Sequence, residues 1–518
     1  MKRLLILFSA LWMSACVSTM ENRAQHAALI ENVDAGKYDA AVEVASGDKF
    51  YPENNSELLR RMERGTALYR AGKLYQALQE FDAAKNYTDQ YFKARTTRLL
   101  NDNGARYFGT GWERSNIRFY QSLIHYELGE SGKYEAYKTA DGISIPEKIL
   151  DEKERRFHKT AAIAVAREWD SVFANLRADA AGGPGYKSDI TESLWAAFLH
   201  GTTGASVDRS RAVVLYKRAR ENLFKNYNIY PAFNKKWEKF ADNYRRLANL
   251  PEAAVKKDYI EPTPFAVELE KYIDDKIKNA GKDNFAVVVK DGRIADKQAR
   301  VYPLTFNADE ILRGGYVAGL LTAAFGGNAK NVSHMAFITW AVGTLLHGLE
   351  FELPFIVEKS VAPMTAELTG ASGAKIRVPI VVSSPLSDVA FYEIDSELPA
   401  ERVKVIARTT MGYVGAAATA YFTYNQVRAL NEKNNNPLAE ILAVAAAAAT
   451  FRGLASGVEA SNRADLRQWK LLPNAIRIGS AAVPAGKYKL RLLSNGAELY
   501  ASDVEVGAAA TLADVNLR

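Results

Sequence analysis

Residues Ala35-Gly36-Lys37-Tyr38-Asp39-Ala40-Ala41 return as Ala71-Gly72-Lys73-Leu74-Tyr75-Gln76-Ala77, so a glycine recurs after 36 positions. An internal period of this length predicts stacked helical hairpins, because one hairpin cannot bury its apolar face alone and each copy must cover the next. In the second copy Gly65, Leu68, Gly72, Leu74, Ala77, Phe81 and Ala84 place small and large residues at helical spacing. Ala77 lets the second helix approach the first, and Leu68 and Phe81 fill the space between neighbouring hairpins. Glycine belongs where the chain must reverse or pack tightly.

This spacing resembles the tetratricopeptide (TPR) repeat. Weaker copies follow: Tyr120, Leu123, Tyr126, Leu128 and Gly129 lead into Gly132-Lys133-Tyr134-Glu135-Ala136, and Leu194 to Leu199 lead through Asp208 to Ala212, Tyr216 and Ala219. Residues 151–178 carry apolar positions at one helical period and predict a single long helix, broken by Ala181-Gly182-Gly183-Pro184-Gly185. Residues 25–250 are therefore expected to form a TPR-like α-solenoid of four or five hairpins.

The texture changes from Pro262. Phe285 to Val289, Val301 to Leu304, Phe351 to Phe355, Lys375 to Ser383 and Val389 to Ile394 read as strands, followed by Ile476 to Ile478, Val483 to Leu492, Leu499 to Val506 and a last strand near Leu512. Much of this alternates, which predicts an antiparallel β-sandwich-like domain over 262–518. Ala/Gly-rich helices interrupt it at about 309–348 and 402–460, the second pair turning at Asn434-Asn435-Asn436-Pro437. None of these apolar runs reaches the roughly 18 uninterrupted residues of a membrane span, so burial against protein is the expectation. The fold class is thus α+β multidomain, a helical solenoid followed by a β-sandwich with helical inserts.

The N-terminus is an address. Lys2 and Arg3 precede Leu4 to Phe8, and Met13-Ser14-Ala15 runs into Cys16, the one cysteine of 518 residues. This arrangement resembles the lipobox of bacterial lipoproteins, which makes residues 1–15 a signal peptide, Cys16 the acylated residue and 16–24 a tether to the bilayer. A lone cysteine cannot form an internal disulfide, whereas several acyl chains anchor stably. Val17 stands where an Asp would resemble the inner-membrane retention signal, so the outer membrane, on its periplasmic face, is expected. Removing 1–15 takes the formal charge from +7 to +5, too weak and dispersed to predict a nucleic-acid partner.

Little chemistry is legible. The six histidines His26, His125, His158, His200, His334 and His347 share no metal-ligand spacing. Gly182-Gly183-Pro184-Gly185-Tyr186-Lys187-Ser188 lacks the Gly-Lys-Ser of a phosphate loop and follows a helix. Gly453-Leu454-Ala455-Ser456-Gly457 puts its serine one place too late for a nucleophile elbow. No metal, no cofactor and no enzymatic activity are expected.

Gly109-Thr110-Gly111-Trp112-Glu113-Arg114, Leu199-His200-Gly201, Val287 to Gly292 ahead of Lys297, and Arg463-Ala464-Asp465-Leu466-Arg467-Gln468-Trp469-Lys470-Leu471-Leu472-Pro473-Asn474 stand in that order along the chain. Together they resemble a family of bacterial lipoproteins, of no assigned activity, with a TPR-like N-terminal half and a C-terminal β domain. The chain departs from that family at Tyr137-Lys138-Thr139, where an Arg-Arg pair is usual. The resemblance implies architecture and envelope location. From the residues themselves, Asp465 and Arg467 are expected to pair, Trp469 and Pro473 to anchor the sandwich on the helical inserts, and Glu113 and Arg114 to open a helix whose N-terminal end favours a carboxylate.

The functional expectation is a scaffold or assembly factor whose solenoid groove holds an envelope protein or peptide segment. Tyr69, Arg70, Tyr75, Arg95 and Arg98 are the candidate groove residues, since aromatic and arginine side chains dominate interface energetics. Peptidoglycan or exopolysaccharide binding, regulation of cell-wall synthesis, and an enzyme whose site forms only in three dimensions are the rival expectations.

Overall fold

The structure, a computed structural model, describes residues 23–51, 54–89, 107–138, 142–179, 189–202, 208–225, 227–235, 261–303, 350–433, 439–461, 463–507 and 510–517. Residues 1–15, Cys16, Arg95, Arg98, the 182–188 run and the insert expected at 309–348 lie outside them.

The described chain is mixed helix and sheet. It opens with α1 (Arg23–Asp34), α2 (Tyr38–Ser46), α3 (Glu57–Arg70), α4 (Leu74–Asp89), α5 (Gly111–Ser131), α6 (Glu152–Asp179), α7 (Ile190–Thr202) and α8 (Arg209–Lys225). Each packs on the helix before it and the helix after it. Gly36 and Gly72, at φ of 72° and 74°, reverse the chain between α1 and α2 and between α3 and α4; L side chains resist that left-handed backbone. Gly65 has a different reason to be small, since a Cβ there would stand 3.1 Å from the Phe81 ring. Leu68, Ala77, Phe81 and Ala84 are all buried in the same core.

The connection from α5 to α6 is not helical, contrary to the repeat expected at Gly132–Ala136. Gly132 ends α5 in the left-handed conformation. A hairpin extension follows, in which β1 (Lys133–Tyr134) pairs with β4 (Lys148–Ile149) and β2 (Tyr137–Lys138) with β3 (Ser144–Ile145).

The C-terminal half starts with α9 (Pro264–Asn279), capped by the Thr263 side chain, which accepts from the Ala266 N–H. Two four-stranded sheets follow. The first runs β10 (Ile380–Ser384), β11 (Ala475–Ala481), β5 (Phe285–Asp291), β14 (Thr511–Asn516), and the second β13 (Ala497–Val506), β12 (Gly486–Ser494), β8 (Thr365–Gly370), β9 (Lys375–Val378). A separate pair joins β6 (Lys297–Pro303) to β7 (Glu350–Ile356). The pairing of β14 with β5 is parallel, which departs from the purely antiparallel expectation.

Strand β5 explains its own sequence. Phe285, Val287 and Val289 enter an apolar core shared with Leu368, Val378, Leu490 and Leu492 of the second sheet. Ala286 and Val288 face the other way, into a core that begins at Leu29 and continues through the helices to Ile478. A strand covered on both faces reads as a continuous apolar run.

Val389–Ile394, expected as a strand, is helix: α10 runs Leu386–Lys433 and α11 Ala439–Ser461. Pro385 and the first-turn acid Asp388 suit a helix start. Leu386, Val389 and Ala390 are buried together, so an apolar run there satisfies either secondary structure. The sequence-expected helical hairpin at 402–460 is the rest of this pair.

Candidate functional site

The most elaborate polar construction in the described chain sits where α3, α4 and α5 meet segment 463–474. Its centre is Trp469. The indole is fully buried, with ring centroids 5.8 Å from Phe81 and 5.6 Å from Tyr120. Its Nε1–H donates to the Thr66 hydroxyl at 3.0 Å, and that hydroxyl donates to the Met62 carbonyl at 2.8 Å. Thr66 therefore uses donor and acceptor at once.

Two buried carboxylates hold the backbone on either side of the ring. Glu63, on α3, accepts the N–H groups of Lys470 at 2.6 Å and Leu471 at 3.1 Å. Glu113, in the first turn of α5, accepts the Trp469 N–H at 2.7 Å through Oε1. Its Oε2 accepts from Tyr107 at 2.5 Å and from the Thr110 N–H at 2.8 Å, the latter closing a capping box. Burial pushes Glu63 up to about 8 against the lowering effect of its two backbone donors. Both carboxylates are closed off from solvent, so their chemistry is that of hydrogen-bond acceptors for a polypeptide backbone, not of a base with access to substrate.

A second cluster lies on the neighbouring face of β5. The Lys290 ammonium is fully buried, donates to Tyr69 at 3.1 Å and pairs with Asp514 of β14. The Tyr69 hydroxyl is in turn bonded to Asp514 and to Glu127 of α5, the latter at 2.8 Å. Burial lowers the lysine despite the nearby carboxylates and raises Glu127. These groups balance charge across the boundary between the helices and the first sheet.

The structure thus brings several sequence-selected residues together in an unexpected role. Tyr69 and Arg70, expected to line a groove open to a partner, meet the C-terminal half of the same chain: Arg70 donates to the Leu471 carbonyl at 3.3 Å. Tyr75 stacks on Tyr134 with centroids 4.0 Å apart. Its N–H and that of Gln76 donate to Glu135, at 3.1 and 3.0 Å. Trp469 anchors on α3–α5 instead of on the helical inserts, and Pro473 is buried four positions further on. Arg467 holds Asp465 at 2.8 Å and lies over the Tyr107 ring. Arg114 sits half-buried one place after Glu113.

Sequence reasoning missed Glu63, Thr66, Glu127, Lys290 and Asp514. One signal was available: Lys290 falls on the inward phase of Ala286 and Val288, which asks for a buried counter-charge. Among the described residues no three His, Cys, Asp or Glu side chains converge as metal ligands. His125 and His158 share a hydrogen bond of 2.8 Å between their Nδ1 atoms, and Tyr134 meets His158 Nε2 at 2.7 Å. Comparison with family models, curated proteins and solved structures gave no match.

Proposed function

We propose that the chain is a lipid-anchored scaffold or assembly factor of the bacterial envelope, held at the outer membrane through Cys16 and facing the periplasm. In this reading the helical half is a TPR-like solenoid and the paired sheets a β-sandwich. In the same reading Trp469–Leu471, which bond to Glu113 and Glu63, occupy the solenoid groove, and the partner binds elsewhere.

The observation that carries the reading is the reach of the α10–α11 hairpin. A helix of the length of α10, Leu386–Lys433, extends about 70 Å. Among the described elements α11 packs chiefly on α10. Leu430 and Leu442, one turn to either side of the hairpin end, are 63% and 43% exposed. Large apolar side chains on a long arm favour coverage by another protein. No helix of the described residues is long and apolar enough to cross a membrane.

The test is a photo-crosslinking residue placed in intact cells at 430, 442 and, as the filled-groove control, 69. The reading expects a discrete adduct with an envelope protein from the two arm positions and none from 69. It also expects Cys16→Ala to leave the outer-membrane fraction. Silent arm positions would remove the scaffold, and unchanged partitioning of Cys16→Ala would remove the anchor.

A further inference from the structure

The α10–α11 hairpin carries two long stretches without a charged residue, Thr409 to Val427 on α10 and Ile441 to Phe451 on α11. A helix surface held in water ordinarily interleaves charges with its other residues. Here that surface is open all the same. Gly415, Phe422, Gln426 and Ala429 are exposed and Thr419 is half-buried, so the outward positions of α10 advance by four and three residues in turn. On α11 Leu442, Ala445, Ala449 and Arg452 are exposed at the same alternation. Steps of four and three are the spacing of a seam that faces another helix.

Both stripes lie on one side of the hairpin. Ala416 and Ala420 of α10 and Ala443 of α11 are buried where the two helices pack on each other. Each is preceded at once by an outward position, 415 before 416, 419 before 420 and 442 before 443. The outward stripe is thus turned in the same sense from the buried one on each helix, and in an antiparallel pair equal turns point to the same side. The result is a two-helix face of about 25 by 20 Å. Two such faces pressed together remove upward of about 1,000 Å² from water, the size at which a specific interface begins.

The chemistry of the face selects its cover. Lipid is a poor match, because exposed Gln426 in the stripe and Asn425 beside it would carry their amides into hydrocarbon. A partner of marked charge finds no counter-charge between Thr409 and Val427. A second copy meets neither objection. Its face is equally neutral, and Gly415, Ala445 and Ala449 let helices approach as closely as Ala416, Ala420 and Ala443 let α10 and α11 approach. A two-fold axis brings the same patch onto its twin, and two hairpins joined so form a four-helix bundle.

We infer that the chain self-associates through this face, each copy laying its α10–α11 arm on that of a second copy. The inference rests on the scaffold reading, in which an envelope protein covers the arm, and names that protein as the chain itself.

The test uses two differently tagged copies of the full chain made in the same cells. Thr419→Cys, Gln426→Cys, Ala445→Cys and Ala449→Cys are placed singly in each copy and combined in every pairing. Arg428→Cys, off the stripe, and the parent, whose Cys16 is its one cysteine, are the controls. Oxidation should join the two tags through at least one pairing and leave both controls unjoined. Ala445→Glu with Ala449→Glu, at exposed positions whose variant should keep the parent's thermal unfolding, should cut recovery of one tagged copy with the other at least tenfold. Failure of every pairing, equal joining in either control, or recovery indifferent to the two glutamates overturns the inference. Photo-adducts from 430 or 442 to a different protein, without joined copies, remove the second copy and leave the scaffold; joined copies with both positions silent do the reverse.

Discussion

The backbone N–H of Trp469 donates to the Glu113 carboxylate at 2.7 Å, although the two residues stand 356 positions apart. This bond, with those from Lys470 and Leu471 to Glu63, seats Trp469–Leu471 against the helical half. Trp469→Ala should therefore lower the stability of both halves together, by about 3–5 kcal/mol for a fully buried large aromatic. Trp469→Phe keeps most of the packing and loses the bond to Thr66, an expected cost of about 1–2 kcal/mol. Urea unfolding followed by far-UV dichroism measures both; a Trp469→Ala loss under 1 kcal/mol would refute the role given to the ring.

Glu63 gives the same contact a pH signature. Its carboxyl is raised from 4.5 to about 8 in the folded chain, so between those values the folded state holds a proton that the unfolded state has released. Stability from this group is present at low pH and declines as pH rises from about 4.5 through 8, by a few kcal/mol as an order of magnitude. Glu63→Gln should flatten that decline. Unfolding midpoints at pH 5, 6.5 and 8 for the parent and the variant test it, and equal slopes in the two would contradict it.

The His125–His158 pair predicts the opposite slope. Burial, then the neighbouring His158 and Lys85, depress His125 from 6.5 to about 4. The unfolded chain takes up a proton first, so this contribution is present above pH 6.5 and is lost as pH falls toward 4. Imidazole proton resonances of His125 should stay in the neutral position at pH 5.5, and titration near 6.5 would overturn the assignment.

Two glycines should respond in opposite directions. A Cβ at Gly479 of β11 would stand 2.2 Å from the Pro379 carbonyl oxygen, and none of that contact can be relieved by a side-chain turn. Gly479→Ala should cost about 1–3 kcal/mol. At Gly415 of α10 a Cβ would meet nothing within 4 Å, so Gly415→Ala should gain about 0.5–1 kcal/mol from helix propensity. Thermal unfolding of both variants gives the signs.

The helical packing was legible because it is local. The 36-position recurrence of glycine predicted reversals at Gly36 and Gly72, and both take positive φ. Ala77 and Phe81 fall on the buried face that their spacing implies. Local pattern fails where burial is two-sided or the partner is distant. Val389–Ile394 is apolar enough for strand or helix, and only the Pro385 boundary and packing around Leu386 select helix. Trp469 announced burial, but no periodicity could say that its pocket is built by Thr66, Phe81 and Tyr120 some 350–400 positions earlier. Glu63 was invisible for the same reason: a carboxylate on a helix reads as a solvated residue until its backbone donors are known.

Trp469, Lys470 and Leu471 join the two halves of the chain by donating to Glu113 and Glu63 of the helical half. Amide hydrogen exchange of the full chain at Trp469, Lys470 and Leu471 measures this directly. Because Glu113 and Glu63 accept these three N–H groups in a buried site, their protection should lie within about tenfold of that in the central strand β11, and Glu63→Ala should accelerate the exchange of Lys470 and Leu471. Exchange at the rate of an open loop while β11 stays protected would contradict the account.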